Sequence, residues 1–258
     1  MGRTRSGILS VLMQSPPYKP VTLAYTPFMK SNRNRKSGGR TSVSKSSGGN
    51  SSSKNARKKA ATPTKLRIIG GDHRGRLIDY HGDDFTRPMK DNIRENLFNI
   101  LGPAIRTRLA FDLFAGTGAL AFESLSRGAR SAVLVEQNRQ AVQFLKKTSE
   151  TIGLDERVTI IHGDAFLAGA AQLSAPDDDT PWVVFLCPPY ALWDSMLPEL
   201  KGLIARFFEH APIGSVLVAE TEKSFDPERL PKANWDFRVY GNTRLGFIES
   251  EAVCGLRL

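Results

Sequence analysis

The sequence predicts an α/β protein built on an open, mostly parallel sheet with helices on both faces. Three observations lead there. From residue 109 to residue 219, apolar runs of strand length alternate with stretches of helical period. The first run, Leu109 to Phe114, passes into a helical stretch through Ala115-Gly116-Thr117-Gly118, where two glycines stand one residue apart. Asp112, Glu136, Asp164 and Cys187 all fall at the ends of successive strands. Ligands of open α/β sheets sit beyond the carboxyl ends of the strands, so these four are expected to converge on one crevice.

The 258 residues carry a formal charge of +10, unevenly spread. Residues 1–65 hold 14 of the 36 Lys and Arg and none of the 26 Asp and Glu; residues 66–258 therefore carry 22 basic against 26 acidic groups, a net of −4. The basicity belongs to an N-terminal tail. Residues 31–55 are mostly Ser, Gly, Asn and basic residues without apolar periodicity. Such a segment buries too little to offset its ordering entropy, so residues 1–65 are expected to be disordered. A basic tail attracts polyanions through counterion release. The other readings are a solvated tail without a dedicated role and an acid-free, Arg- and Ser-rich transit peptide; Met29 could also begin a shorter chain. No stretch approaches the roughly 20 apolar residues of a membrane span, so no membrane association is expected. Cys187 and Cys254 show neither metal-ligand spacing nor a disulfide framework. No metal is expected, a reducing cytoplasm is the simplest setting, and a monomer is the expected state.

One ordered domain is expected over residues 66–258, with residues 66–102 standing ahead of the main sheet. Leu66 to Ile69 and Arg76 to Ile78 read as short strands around Gly70-Gly71 and Gly75, a hairpin-like unit. It carries Arg67, Arg74 and Arg76, with His73 and Lys65 nearby. On a domain whose bulk is acidic, a local basic cluster suits phosphate; the alternative is a solvated face. Thr86-Arg87-Pro88 leads into a helix over about 89–101, where Ile93, Leu97, Ile100 and Leu101 form one apolar stripe. Gly102-Pro103 ends it.

After the glycine turn, Leu120, Phe122 and Leu125 continue a helix that stops at Arg127-Gly128. A strand at 132–135 and a helix at 139–152 follow, the helix with Val142, Leu145, Thr148 and Ile152 inward and Gly153 as its stop. A strand at 158–161 ends at His162-Gly163-Asp164. Then come a short helix, a polar loop at 176–181, and a strand at 182–186 that runs into Cys187-Pro188-Pro189-Tyr190. A helix over about 195–210 and a strand at 215–219 complete the alternation. Residues 235–258 read as an antiparallel β pair, which makes seven strands in the main sheet.

Glycines let a backbone pass close to a ligand, and a helix start offers unpaired N–H groups; the turn therefore suits a nucleotide. Two classes fit it. Gly116-x-Gly118-x-x-Ala121 with Glu136 about 20 residues on matches the dinucleotide fingerprint. An S-adenosylmethionine site also has an acid before the glycines (Asp112) and a second at the end of the next strand (Glu136). An ionised carboxylate only accepts hydrogen bonds, and a ribose diol offers two donors.

Pro188-Pro189-Tyr190 separates these classes. Two prolines fix φ twice and remove two N–H donors, leaving stiffly aimed carbonyls beside an aromatic ring. That environment suits a planar substrate amine, which needs acceptors for its N–H groups and a ring to stack on. Its lone pair is delocalised, so positioning and stabilisation of developing charge are the expected levers.

Five stretches together resemble one family: Leu66-Arg-Ile-Ile-Gly-Gly-Asp-His-Arg-Gly-Arg, Thr86-Arg-Pro-Met-Lys-Asp-Asn-Ile-Arg-Glu-Asn-Leu-Phe-Asn-Ile, Asp112-Leu-Phe-Ala-Gly-Thr-Gly-Ala-Leu, Glu136, and Pro188-Pro-Tyr. They are similar to the bacterial RsmD family of S-adenosylmethionine-dependent methyltransferases, which act on a guanine N2 amine of small-subunit ribosomal RNA. The resemblance spans roughly residues 66–258 and implies a Rossmann-like class I methyltransferase fold. It implies that the turn Asp112, Phe114, Ala115, Gly116, Thr117 and Gly118 holds the methionine end of S-adenosyl-L-methionine, Glu136 the ribose, and Asp164 with Ala165 the adenine. It also implies that the hairpin (Arg67, Arg74, Arg76) and the following helix (Arg87, Lys90, Arg94) hold RNA of the small ribosomal subunit.

One position departs from the family pattern. Asp or Asn precedes Pro-Pro there, and here it is Cys187. A thiol is a weak acceptor. Either catalysis leans on the Pro188 carbonyl and Tyr190, or the enzyme is slow, or the chain has become a binder. The competing readings are therefore a catalytically weak rRNA-binding assembly factor and a methyltransferase of another planar amine, such as adenine N6 in DNA. The second leaves little room for a separate DNA-recognition domain. An NAD oxidoreductase fits least, because no catalytic His or Lys is evident after the sheet.

Overall fold

The computed structural model describes residues 64–80, 82, 88–173 and 179–250. The basic tail up to residue 63, Arg87 and Cys254 lie outside the described residues. Strands β1 (Thr64–Arg67) and β2 (Leu77–Tyr80) pair antiparallel, with Leu66 opposite Ile78. The main sheet holds β3 (Leu109–Asp112), β4 (Ser131–Glu136), β5 (Val158–His162), β6 (Trp182–Leu186), β7 (Val216–Glu222), β8 (Asp236–Tyr240) and β9 (Thr243–Glu249). Their order is β5-β4-β3-β6-β7-β9-β8. Strands β3 to β7 run parallel, and β9 lies antiparallel between β7 and β8. The order reverses between β3 and β6, the switch point at which such sheets form their crevice.

Burial on both faces follows from the pleat of β6, whose five residues are all fully buried. Val183 and Phe185 point into one core and Trp182, Val184 and Leu186 into the other. The first core is closed by α1 (Asp91–Leu101) and α2 (Ala119–Ser126), with α3 (Arg139–Ile152) on the same face. There Phe98 of α1 meets Phe185 at 5.9 Å. The second core is closed by α6 (Leu197–His210) through Leu200, Leu203, Ile204 and Phe207. Helix α3 has its expected limits: the Asn138 side chain accepts from the amides of Gln140 and Ala141, and Gly153 ends it at φ 73°.

Four local differences from the sequence reading have identifiable causes. Strand β1 lies two residues earlier than the pattern suggests, because the amides of Ile69 and Gly70 donate to the Glu123 carboxylate at 2.7 and 2.8 Å. The buried side of α1 includes Arg94 and Phe98 and leaves Ile100 39% exposed. The segment after Asp164 is a π turn (Ala165–Gly169) running into α4 (Ala170–Gln172). The expected 195–210 helix is α6, which starts at Leu197 with Pro198 in its first turn, and a separate short helix that the sequence did not suggest, α5 (Leu192–Ser195), precedes it across Met196 (φ −133°).

The hairpin and α1 share the main core, since Ile68, Ile78, Ile93 and Leu97 join the cluster containing Phe122 and Ala110. Docking is done by Gly70-Gly71-Asp72 against the last turn of α2. The amide of Asp72 donates to the Ser126 carbonyl at 2.8 Å, and the amide of His73 to Ser126 Oγ at 2.9 Å. Ser126 Oγ in turn donates to the Gly70 carbonyl at 2.6 Å. Gly71 has φ 75°, and a Cβ there would stand 1.9 Å from the Ser126 carbonyl oxygen, so only glycine fits. The sequence block Gly70 to His73 is thus a docking motif.

Candidate cofactor and substrate site

The glycine turn leaves β3 and begins α2. Gly116 (φ 51°) and Gly118 (φ 73°) both take left-handed conformations that favour glycine. At Gly118 a Cβ would stand 2.6 Å from both Leu145 Cδ2 and Phe122 Cε2. Glu136, at the end of β4, accepts from the amide of Gly116 at 2.7 Å through one oxygen and from that of Asn138 at 2.7 Å through the other. It therefore ties the glycine turn to the neighbouring strand end. Each oxygen keeps a further lone pair for another donor.

Asp112, one strand over, is 1% exposed, and its Oδ1 has no hydrogen-bond partner among the described residues. Burial, and then the charge of Glu136, push its carboxyl from an ordinary 3.8 up to about 7; the amides of Ala121 and Phe114 pull it partly back. The folded value lies above the unfolded one. The stability this group contributes is thus whole below about pH 4 and is lost as pH rises through about 7. Asp112→Asn is expected to remove that slope. Compared with the parent, the variant should gain melting temperature at pH 8 relative to pH 5. An equal difference at both pH values would show an Asp112 that is ionised throughout.

Asp164 caps the π turn after β5, where its Oδ1 accepts from the amides of Phe166 and Leu167 at 2.7 and 3.3 Å. Ala165 beside it is buried. The rings of Phe114 and Phe166 meet edge to face at 5.8 Å, joining the loop after β3 to the turn after β5.

At the end of β6, Pro188 is buried and Pro189 exposed. The carbonyl of Pro189 accepts from Leu192 at 2.9 Å and that of Tyr190 from Trp193 at 3.1 Å, as α5 begins. The carbonyls of Pro189 and Tyr190 are therefore spent on the helix start, and that of Pro188 has no hydrogen-bond partner among the described residues. The Tyr190 hydroxyl donates to Glu220 Oε1 at 2.9 Å and lies 2.9 Å from Thr243 Oγ1. A phenol has one proton, so the Thr243 hydroxyl is the donor in the second bond. Burial, with Glu220 adding to it, raises the Tyr190 phenol to about 12, and Thr243 lowers it in part. Burial pushes the Cys187 thiol well up, and the charges of Glu220 and Asp112 push it further. Cys187 is thus a neutral thiol, unsuited to nucleophilic attack.

The residues that the sequence assigned to cofactor and substrate lie at or just beyond the ends of β3, β4, β5 and β6, whereas the set assigned to RNA includes one that is buried. Arg94 is 0% exposed: its guanidinium donates to the Arg67 carbonyl at 2.7 Å and to Asp91 at 3.0 Å. It supports the hairpin from inside and cannot reach a phosphate in this conformation. Arg67 is exposed and paired with Asp91 at 3.2 Å. Arg74 and Lys90 are exposed, and exposed Arg76 donates to the Thr151 carbonyl at 2.7 Å. Arg87 lies outside the described residues. Sequence reasoning missed Glu220, Thr243 and Trp193, whose indole donates to the Glu220 carbonyl at 2.7 Å. Nothing in their local sequence marks them; the pairing of β7 with β6 and β9 brings in Glu220 and Thr243, and the turn of α5 after Pro-Pro-Tyr brings in Trp193. Among the described residues there is no helix long and apolar enough to cross a membrane and no group of three metal-ligating side chains.

The strand order, the glycine turn at the switch point and the acids at the strand ends define a Rossmann-like class I methyltransferase fold. Residues 66–248 match the family described as conserved hypothetical protein 95. The chain belongs to this family, the RsmD family. The Haemophilus influenzae relative called ribosomal RNA small subunit methyltransferase D is 35% identical over 182 residues, 69% of this chain and 90% of that protein. YlbH of Bacillus subtilis is 33% identical over 168 residues, 64% of this chain and 88% of that protein. The solved structure of yhhF from Escherichia coli superposes with a TM-score of 0.61 at 31% identity, covering 74% of this chain and all of that one.

Proposed function

We propose that this chain is an S-adenosyl-L-methionine-dependent methyltransferase that modifies a guanine N2 amine in small-subunit ribosomal RNA, in the cytoplasm. The observation that carries this reading is the meeting, at one switch point, of a glycine turn holding a buried, unpartnered carboxylate oxygen with a Pro-Pro-Tyr strand end. The donor set fits the cofactor. Asp112 Oδ1 suits the ammonium of its methionine end, and Gly116 and Gly118 allow close approach. The remaining lone pairs of Glu136 suit ribose hydroxyls. Asp164, with its Oδ1 spent on the π turn, keeps Oδ2 for the adenine amine beside the amide of Ala165. Bound there, the cofactor would supply a methyl group on a sulfonium.

The chain's own part is to present the amine. The Pro188 carbonyl accepts one N–H, and the Tyr190 ring, held by its hydroxyl, stacks on the base. Exposed Arg67, Arg74, Arg76 and Lys90 offer phosphate contacts, and the basic tail adds a salt-dependent attraction. The names of the relatives support RNA of the small subunit as the substrate.

Calorimetry is expected to show binding of S-adenosylmethionine and none of NAD. Glu136→Ala should weaken binding by about 1–3 kcal/mol, the cost of losing charge-assisted hydrogen bonds. Small subunits from cells lacking the protein should accept labelled methyl on a guanine. Tight NAD binding, or label on adenine, would overturn the reading. A second reading, a weakly active assembly factor, rests on Cys187 in place of a strong acceptor. Normal subunit binding without methylation by any variant would favour it.

A further inference from the structure

In the sheet β6 lies between β3 and β7. Its last residue, Leu186, pairs with Ala219 of β7. The next residue on each strand is therefore Cys187 on one and Glu220 on the other, side by side at the mouth of the crevice. On the opposite flank, Asp112 ends β3. The thiol thus stands between two acids, and both act on it electrostatically. The acid on the β7 side also takes the Tyr190 hydroxyl at 2.9 Å, on the residue that closes the Pro-Pro-Tyr segment.

From this juxtaposition we infer that Glu220 supplies the strong acceptor that position 187 lacks. In the methyltransferase reading, on which this rests, the Glu220 carboxylate accepts a hydrogen bond from the exocyclic amine of the substrate base. It turns the nitrogen lone pair toward the methyl donor and faces the positive charge that develops on nitrogen. An ionised carboxylate has about four lone-pair sites, so Glu220 takes the amine alongside the Tyr190 hydroxyl and the Cys187 thiol that it already engages. The half-buried position of Glu220 strengthens that bond relative to one in water. The side chain reaches from the neighbouring strand to the place where a residue on β6 itself would otherwise do the work. Tyr190 and Glu220 then form one unit: the ring sets the plane of the base and the carboxylate sets its amine edge.

The test compares three variants of the full chain in single-turnover methylation of unmethylated small subunits: Glu220→Gln, Tyr190→Phe, and Glu220→Gln combined with Cys187→Asn. Glutamine keeps the shape and an acceptor for the Tyr190 hydroxyl. Melting temperature and S-adenosylmethionine affinity, measured on the same samples, report whether fold and cofactor site are intact. Glu220→Gln is expected to lower the rate by about 10–100-fold with cofactor affinity retained. Tyr190→Phe, which removes only the anchoring hydroxyl, should lose less. Cys187→Asn in the Glu220→Gln background should recover about tenfold, because it places an amide acceptor back on β6. A loss in Tyr190→Phe as large as in Glu220→Gln, with no recovery in the double variant, would reduce Glu220 to an anchor for the ring and overturn the proposal. So would an undiminished rate in Glu220→Gln. Parent protein that binds S-adenosylmethionine yet methylates nothing would overturn the methyltransferase reading, and this assignment with it.

Discussion

Replacing Glu123 with alanine is expected to cost about 3–5 kcal/mol of folding stability, the range for removing one partner of a buried charge pair. Glu123 lies in the middle of α2 and is 0% exposed. One oxygen accepts from the Gly70 amide at 2.8 Å and from Arg127 Nε at 2.7 Å. The other accepts from the Ile69 amide at 2.7 Å and stands 4.0 Å from Nε of Arg94. Arg94 is itself fully buried, and its Nε and Nη1 lack hydrogen-bond partners among the described residues. Burial lowers its pKa, while Asp91 and Glu123 hold it up. Truncating Glu123 would strand two backbone amides and leave Arg94 with Asp91 as its remaining countercharge. The hairpin would lose its charged anchor to α2 and keep only the Ser126 bonds and the packing of Ile68 and Ile78. Urea unfolding followed by circular dichroism measures the effect, and limited proteolysis near Gly70 should accelerate. A loss below about 1 kcal/mol would show that the packing of Ile68 and Ile78 holds the hairpin without this carboxylate.

Tyr190→Ala is expected to slow methyl transfer by about a hundredfold or more while leaving cofactor affinity within about twofold of the parent. Stacking on one base is worth about 1–3 kcal/mol, and misplacing a reacting atom by an ångström can cost about a further hundredfold. The tyrosine is suited to this role by its anchoring: the hydroxyl is fixed between Glu220 and Thr243, on β7 and β9, so the ring is held from its far end. Tyr190→Phe keeps the ring and loses the anchor, and should cost about tenfold or less. Single-turnover rates with enzyme in excess separate the two. Equal rates for parent and Tyr190→Ala would remove stacking from the mechanism and leave the Pro188 carbonyl and Glu220 to present the amine.

The parallel sheet was legible because it is buried on both faces. Continuous apolar runs such as Trp182 to Leu186 have few alternative conformations, and Gly153 marks the end of α3. Boundaries were less legible where a distant side chain intervened. Strand β1 ends early because of Glu123, and the break at Met196 becomes visible only once α5 turns off the Pro-Pro-Tyr segment. Arg94 illustrates the limit of charge counting, since its basic neighbours reach solvent and it does not.

Chain order alone determined the glycine turn, the acids at the strand ends and Pro188-Pro189-Tyr190, because each depends on residues within a few positions of one another. Which residues surround the Pro-Pro-Tyr segment was decided by strand pairing. Glu220 comes to Cys187 across 33 residues of sequence, and Thr243 to Tyr190 across 53. The register of β7 against β6 and β9 brings them there, and that register is set by burial of both sheet faces rather than by any local pattern.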